Sequence, residues 1–278
     1  MPRVLPGLRA LVGQHDDFLV DLWGVVHDGD APFDGVREAL AELAARDKRV
    51  VFVTNSSRSG ATVTEHLVER FGLPRAHFHG VVSSGDVSCA ALRDRDPELF
   101  ALLPRAPRCF HHGSAEVVPW LFELGLDFTD DVAEAELVVT TGIYADDAAL
   151  RAAGERLAPA AARSVPIVCT NPDRIIPSAR GSALGPGAIA DVYPGRVFFY
   201  GKPHAPIYAA ARALLGTERT PVAIGDLLET DIRGAKAAAI PSVLITRTGG
   251  SALGDDDLPT RFARASVTPD MLLDRFAY

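Results

Sequence analysis

The sequence predicts an α/β protein in which a parallel-sheet core is interrupted by an inserted α/β domain. Three observations predict it. Short apolar runs rich in β-branched residues alternate with helix-like stretches, the pattern of parallel strands joined by crossover helices. Polar residues recur directly after such runs, at the carboxyl ends where the loops of a parallel sheet converge. Those polar ends fall into two groups, one in the first 60 residues and one after residue 200, with about 140 residues between them. A second domain inserted into the first explains that gap most economically.

In chain order, strands are expected at Phe18–Leu22, Val50–Val53, Val81–Ser83, Arg108–His111, Leu137–Thr140, Ile167–Thr170, Val197–Tyr200, Val222–Ile224 and Ser242–Ile245. Helices are expected at Val36–Arg46, Ala61–Phe71, Ala115–Leu124, Asp146–Leu157, Ala205–Leu215 and Thr230–Ala239, the alanine-rich 148–162 stretch being a good helix former. The core is drawn at 1–85 and 196–278 and the insert at 86–195.

The 278 residues suffice for one large domain or two modest ones, and 47% hydrophobic with 23% charged residues describes an ordinary globular chain. A net charge of −8 excludes the basic footprint of a nucleic-acid binder. Cys89, Cys109 and Cys169 follow no metal-ligand spacing, which fits reduced thiols in a cytoplasmic setting. The first residues, MPRVLPGLRALVGQHDD, are too short an apolar patch for a secretory signal, and no run reaches the ~20 apolar residues of a membrane span.

Four strand ends carry the chemistry. Asp21 follows FLV, Thr54, Asn55 and Ser56 follow VVFV, Lys202 follows VFFYG, and Asp226 follows VAIG. A carboxylate at a strand end can attack phosphorus if cations offset its charge and that of the substrate. Asp226 and Asp231, with Asp21, would form an oxygen cage suited to Mg²⁺. Thr54, Asn55 and Ser56 offer hydroxyl, amide and backbone donors to phosphoryl oxygens. Lys202 adds a point positive charge. Singly, each also reads as a turn acid, a helix cap or a loop lysine; the argument lies in all four occurring in order.

The segments DLWGVVHDG, VFVTNSS, YGKP and IGDLLETDIRGA resemble the four ordered motifs of the haloacid dehalogenase (HAD) superfamily. With TNPD at Thr170–Asp173 and the Gly-Pro-Gly run at 185–187, the likeness is to its class IIA hydrolases, the p-nitrophenyl phosphatase and pyridoxal phosphatase group, from about Phe18 to Gly249. The resemblance implies a Rossmann-like core with an inserted α/β cap, and a Mg²⁺-dependent phosphatase acting on a small phosphorylated metabolite. It assigns Asp21 as the nucleophile that becomes an aspartyl-phosphate, Thr54, Asn55 and Ser56 to phosphate binding, and Lys202 as the motif lysine. Asp21, the Trp23 backbone carbonyl and Asp226 become metal ligands, and Asp231 a supporting acid. Asn171 and Asp173 become substrate-side contacts. The cap would begin near Ser83–Asp86, with Gly85 as a hinge, and would carry a homodimer contact.

Trp23 departs from the pattern. The family's phosphatases place an aspartate there, which protonates the leaving oxygen and then activates water; an indole can do neither. Loss of such a group costs ~10²–10⁴-fold in rate, least for esters with good leaving groups. Three readings follow: a phosphatase of reduced or atypical activity, with His27 or Asp28 as a substitute acid; an impaired module that binds a phosphate ligand; or a carbon–halogen or other non-phosphate hydrolase. In the insert, His111, His112 and Ser114 are candidate ligand contacts, with a turn role as the plainer reading. Arg174 and Arg180 flank TNPD and could meet an anion. Trp120, Phe122 and Phe128 read as cap core, and Asp255–Asp257 as a solvated loop.

Overall fold

The structure, a computed structural model, describes residues 2–178, 181–216, 219–252 and 257–278. Arg180, and Asp255 and Asp256 of the acidic run, lie outside the described residues. The chain enters through β1 (Arg3–Val4), β2 (Asp17–Val20), β3 (Arg49–Thr54) and β4 (Gly80–Ser83). It continues with β5 (Arg108–His112), β6 (Asp127–Phe128), β7 (Leu137–Thr140), β8 (Ile167–Cys169), β9 (Ile175–Ser178), β10 (Gly181–Leu184) and β11 (Val197–Phe199). It returns through β12 (Val222–Gly225), β13 (Ser242–Ile245) and β14 (Met271–Leu273).

Two compact units result. The first holds Met1–Thr54, Gly60–Val82 and Lys202–Tyr278; the second holds Asn55–Ser59 and Ser83–Gly201. The first unit is built on a seven-stranded sheet in the order β1-β14-β13-β12-β2-β3-β4. Its central strands are buried on both faces: β2, β12 and β13 are buried along their whole length, as continuous apolar runs in a parallel sheet require. The helix Val36–Ala44 turns Val36, Ala39, Leu40 and Leu43 inward, at spacings that share one helix face. Phe18, Phe52, Phe71 and Phe276 fill the same core, each fully buried aromatic contributing about 1.5–3 kcal/mol by leaving water.

The second unit has a wholly parallel five-stranded sheet, β11-β8-β7-β5-β6, and an antiparallel β9–β10 pair. The helix Asp147–Ala162 packs Ala153, Leu157 and Ala160 into its core. No helix among the described residues is long and apolar enough to cross a membrane.

The α/β, parallel-sheet fold expected from the sequence is what forms, with local departures, among them the following. The strand before Lys202 was expected in the same sheet as Asp21, but β11 pairs with β8 in the second unit's sheet. An apolar run states that a strand forms, not which sheet takes it. The second unit also reaches Gly201 and takes in Asn55–Ser59, a wider extent than 86–195. The single helix expected at Ala115–Leu124 is a 3₁₀ turn, Ala115–Val117, and a short helix, Pro119–Phe122. Pro119 lacks the N–H that would continue the first turn.

Candidate active site

Three neighbouring strand ends build the site in the first unit. β2 lies between β12 and β3 and runs parallel to both. Thr54 closes β3, Asp21 follows β2, and Asp226 follows β12, so all three emerge at one edge. The Asp21 N–H donates to the Ile224 carbonyl at 2.9 Å, extending the β2–β12 ladder to the acid itself. Asp231 arrives from a π-helical turn, Leu228–Ile232, a geometry that recurs at functional sites. Gly225 permits this approach, because a Cβ there would run into the Asp231 side chain.

Carboxylate oxygens of Asp21, Asp226 and Asp231 lie within 4.8 Å of one another. The Lys202 ammonium donates to Asp21 Oδ1 at 2.6 Å and to Asp231 Oδ1 at 2.7 Å. Burial pulls the Lys202 ammonium down, but the Asp21 and Asp231 carboxylates outweigh it and hold the lysine charged. Burial, then the charges of Asp21 and Asp231, push Asp226 well above the usual carboxylate range. Burial likewise raises Asp231 to about 6, against the pull of Lys202.

With all three acids ionised and Lys202 paired with Asp21 and Asp231, the cluster carries a net charge of −2, largely out of water. A divalent cation would cancel that charge, and an all-oxygen donor set suits Mg²⁺. The residues therefore fit the ion. Asp231 is already engaged, accepting from Lys202 and from the Leu227 N–H at 3.1 Å. Asp21 and Asp226 are the acids better placed to ligate.

The turn after Asp21 is organised by Trp23. Its indole N–H donates to the Asp28 carbonyl at 3.0 Å, and Gly29 turns the chain next to it at φ +104°. Asp28 Oδ1 accepts the N–H groups of Asp30 and Ala31, both at 2.9 Å, and those bonds hold its carboxyl below the usual range. The His27 Nδ1 accepts the Gly29 N–H at 3.1 Å, and its ring lies 4.7 Å from that of Phe71. Burial pushes His27 down to about 4, so the imidazole is neutral at pH 7. Both candidate substitute acids thus serve the turn itself.

Sequence reasoning missed Gly24, Thr248, Gly249 and Gly250. The Gly250 N–H donates to Asp226 Oδ2 at 2.5 Å, and the Thr248 hydroxyl to the Gly24 carbonyl at 2.6 Å. A Cβ on either Gly24 or Gly249 would run into the Asp226 carboxylate. The only sequence signal was a Gly-Gly pair after a strand.

The second unit gathers the remaining predicted residues. The Asn55 amide donates to Asp173 Oδ1 at 2.8 Å, and the Asp173 N–H to Asn171 Oδ1 at 2.8 Å. Ser56 accepts the Gly85 N–H on its carbonyl at 3.0 Å and the Arg58 N–H on its hydroxyl at 3.2 Å. Gly185 and Gly187 press on the backbone of Pro172 and Asp173, where a Cβ would collide with their carbonyls. His111 Nε2 lies 2.9 Å from the Thr141 hydroxyl, and Arg174 pairs with Asp191 at 2.9 Å.

A family model described as haloacid dehalogenase-like hydrolase matches residues 18–127, and a HAD-hydrolase-like model matches residues 199–277. The chain belongs to the haloacid dehalogenase-like hydrolases. Within that family it is 28% identical over 253 residues to D-glycerol 3-phosphate phosphatase of Mycobacterium tuberculosis, covering 86% of this chain and 65% of that protein. The chain thus spans about two thirds of that relative's length. An acid sugar phosphatase of Staphylococcus aureus is 27% identical over 250 residues, covering 87% of this chain and 90% of that protein. Among solved structures, a haloacid dehalogenase-like hydrolase from Brucella suis 1330 superposes with a TM-score of 0.81 at 28% identity, covering 100% of both chains. A glycerol phosphate phosphatase from Mycobacterium tuberculosis in complex with magnesium gives 0.66 at 27% identity, covering 87% of this chain and 71% of that one.

Proposed function

We propose that this haloacid dehalogenase-like hydrolase cleaves small phosphate monoesters with Mg²⁺, using Asp21 as nucleophile, at a rate limited by Trp23. The observation that carries the reading is the close cluster of Asp21, Asp226 and Asp231, with Lys202 paired to Asp21 and Asp231. The relatives named as phosphatases and the magnesium complex support it.

A carboxylate oxygen of Asp21 attacks phosphorus, the P–O bond to the leaving group breaks, and the leaving oxygen departs with the electron pair. Water then attacks phosphorus in the aspartyl-phosphate, releasing phosphate, restoring the Asp21 carboxylate and giving its proton to solvent. Lys202 holds Asp21 in place and offsets charge on the phosphoryl group. Asp21, Asp226 and the Trp23 carbonyl would hold Mg²⁺, which when bound offsets phosphoryl charge as a Lewis acid. Thr54, Asn55 and Ser56 are assigned to phosphate binding, and Asn171 and Asp173 to the substrate side. The second unit is assigned as the cap that selects substrate and carries a dimer contact, in a cytoplasmic enzyme.

Trp23 decides which esters react well. Its N–H is bonded to Asp28 and has no proton to give at neutral pH. An aryl leaving group departs without protonation; an alkoxide does not. Turnover of p-nitrophenyl phosphate with and without Mg²⁺, for the natural chain and Asp21→Asn, tests the reading. Mg²⁺-dependent activity that survives Asp21→Asn sinks it. Mg²⁺ binding with no turnover at all would favour a phosphate-binding module instead.

A further inference from the structure

We propose that Thr248 is a positioning residue for the divalent cation, acting through the Trp23–Gly24 turn; the inference rests on the metal reading above. Two hydrogen bonds tie the segment Thr246–Gly250 to two separate sources of oxygen. The Gly250 N–H holds Asp226 Oδ2 at 2.5 Å, and the Thr248 hydroxyl holds the Gly24 carbonyl at 2.6 Å. On its other side, the Gly24 N–H donates to the His27 carbonyl at 2.8 Å. Gly24 is therefore gripped at both its N–H and its C=O.

The consequence falls on Trp23. Its carbonyl belongs to the same planar trans peptide as the Gly24 N–H, so it points the opposite way from that N–H. Fixing Gly24 fixes the direction of the Trp23 carbonyl, which is the backbone ligand assigned to Mg²⁺. Thr248 also occupies the Gly24 carbonyl, the next backbone oxygen after the assigned ligand. No side chain can intrude, because Gly24 and Gly249 both lie directly against Asp226. The φ of +86° at Gly24 and +62° at Gly249 favours glycine. Thr248 thus couples the loop after β2 to the acid after β12, although it lies in neither.

Calorimetric titration of the metal-free full chain with MgCl₂ tests this, beside the melting midpoint without metal. Thr248→Val should weaken Mg²⁺ binding about tenfold, the usual effect of removing a group that orients a ligand. Thr248→Ser, which keeps the hydroxyl, should bind within about twofold of the natural chain, and the two variants should melt alike without metal. Should Thr248→Val fail to fold, Thr248→Ala takes its place in the same comparison. Binding by the hydroxyl-free variant within about twofold of the natural chain, while Asp226→Asn abolishes it, overturns the role of Thr248 and leaves the metal site standing. No Mg²⁺ heat from the natural chain overturns both.

Discussion

The indole N–H of Trp23 donates to the carbonyl of Asp28 at 3.0 Å, and so closes the turn that follows the proposed nucleophile. The tryptophan is built into the turn, beside Gly29, whose φ of +104° favours glycine. Replacing it tests both its roles. Trp23→Asp should raise turnover of alkyl phosphates by about 10²-fold or more relative to p-nitrophenyl phosphate, by restoring a proton donor. Trp23→Phe should lose the turn bond without that gain. Steady-state kinetics on the two ester classes decide it, and equal effects of both variants on both classes would rule out an acid–base explanation.

Lys202 is the cation paired with both Asp21 and the buried Asp231. Lys202→Met would leave Asp21 and Asp231 without their ammonium in a poorly solvated site. A loss of about 10²-fold or more in kcat is expected, together with about 3 kcal/mol of stability. Urea titration and p-nitrophenyl phosphate turnover measure the two losses separately.

Mg²⁺ should stabilise the natural chain, because it binds the folded ring of acids and not the unfolded chain. At about 100 times its Kd the gain is about 2.7 kcal/mol. Asp226→Asn should remove most of that gain while melting no lower without metal, since the substitution relieves a carboxylate that burial and two neighbouring acids disfavour. Thermal melts with and without MgCl₂ read both effects.

The sheet and most of the acidic ring were legible because each depends on local pattern. Alternating apolar runs announce strands, and an acid after VAIG or FLV announces a parallel strand end. Thr248, Gly249 and Gly250 were not legible, because their partners, the Gly24 carbonyl and the Asp226 carboxylate, lie more than 20 residues away in the chain. The placement of β11 failed for a related reason: VFF fits either sheet, and the pairing with β8 settles it. His27 and Asp28 stood close to Asp21 in sequence, but their hydrogen bonds close the turn.

A stability prediction lies at the other end of β2. Asp17, 1% exposed, accepts from Arg49 Nε at 2.7 Å and Nη2 at 2.9 Å across the β2–β3 pair. Arg49→Leu leaves that carboxylate buried and unpaired, at a cost of about 3 kcal/mol. Asp17 begins the strand whose far end delivers Asp21, so kcat should change less than twofold. Urea denaturation beside kinetics separates the effects; a large fall in kcat at full occupancy of the folded state would contradict the prediction.

His112 sets an acid limit on the second unit. It is buried, with its ring stacked 6.0 Å from Tyr144 and 6.5 Å from Phe110. Burial, followed by the charges of Arg156 and His111, pushes it down to about 4 from 6.5. Between those values the unfolded chain binds a proton that the folded chain refuses. The stabilisation is therefore complete above about pH 6.5 and is lost as pH falls toward 4, an effect of about 2 kcal/mol after allowance for partial solvation. His112→Phe keeps the stacked ring and removes the titration, so its melting midpoint should fall less between pH 7 and pH 4.5 than that of the natural chain. Parallel curves for the two proteins would show that acid sensitivity arises elsewhere, His27 being the next residue to replace.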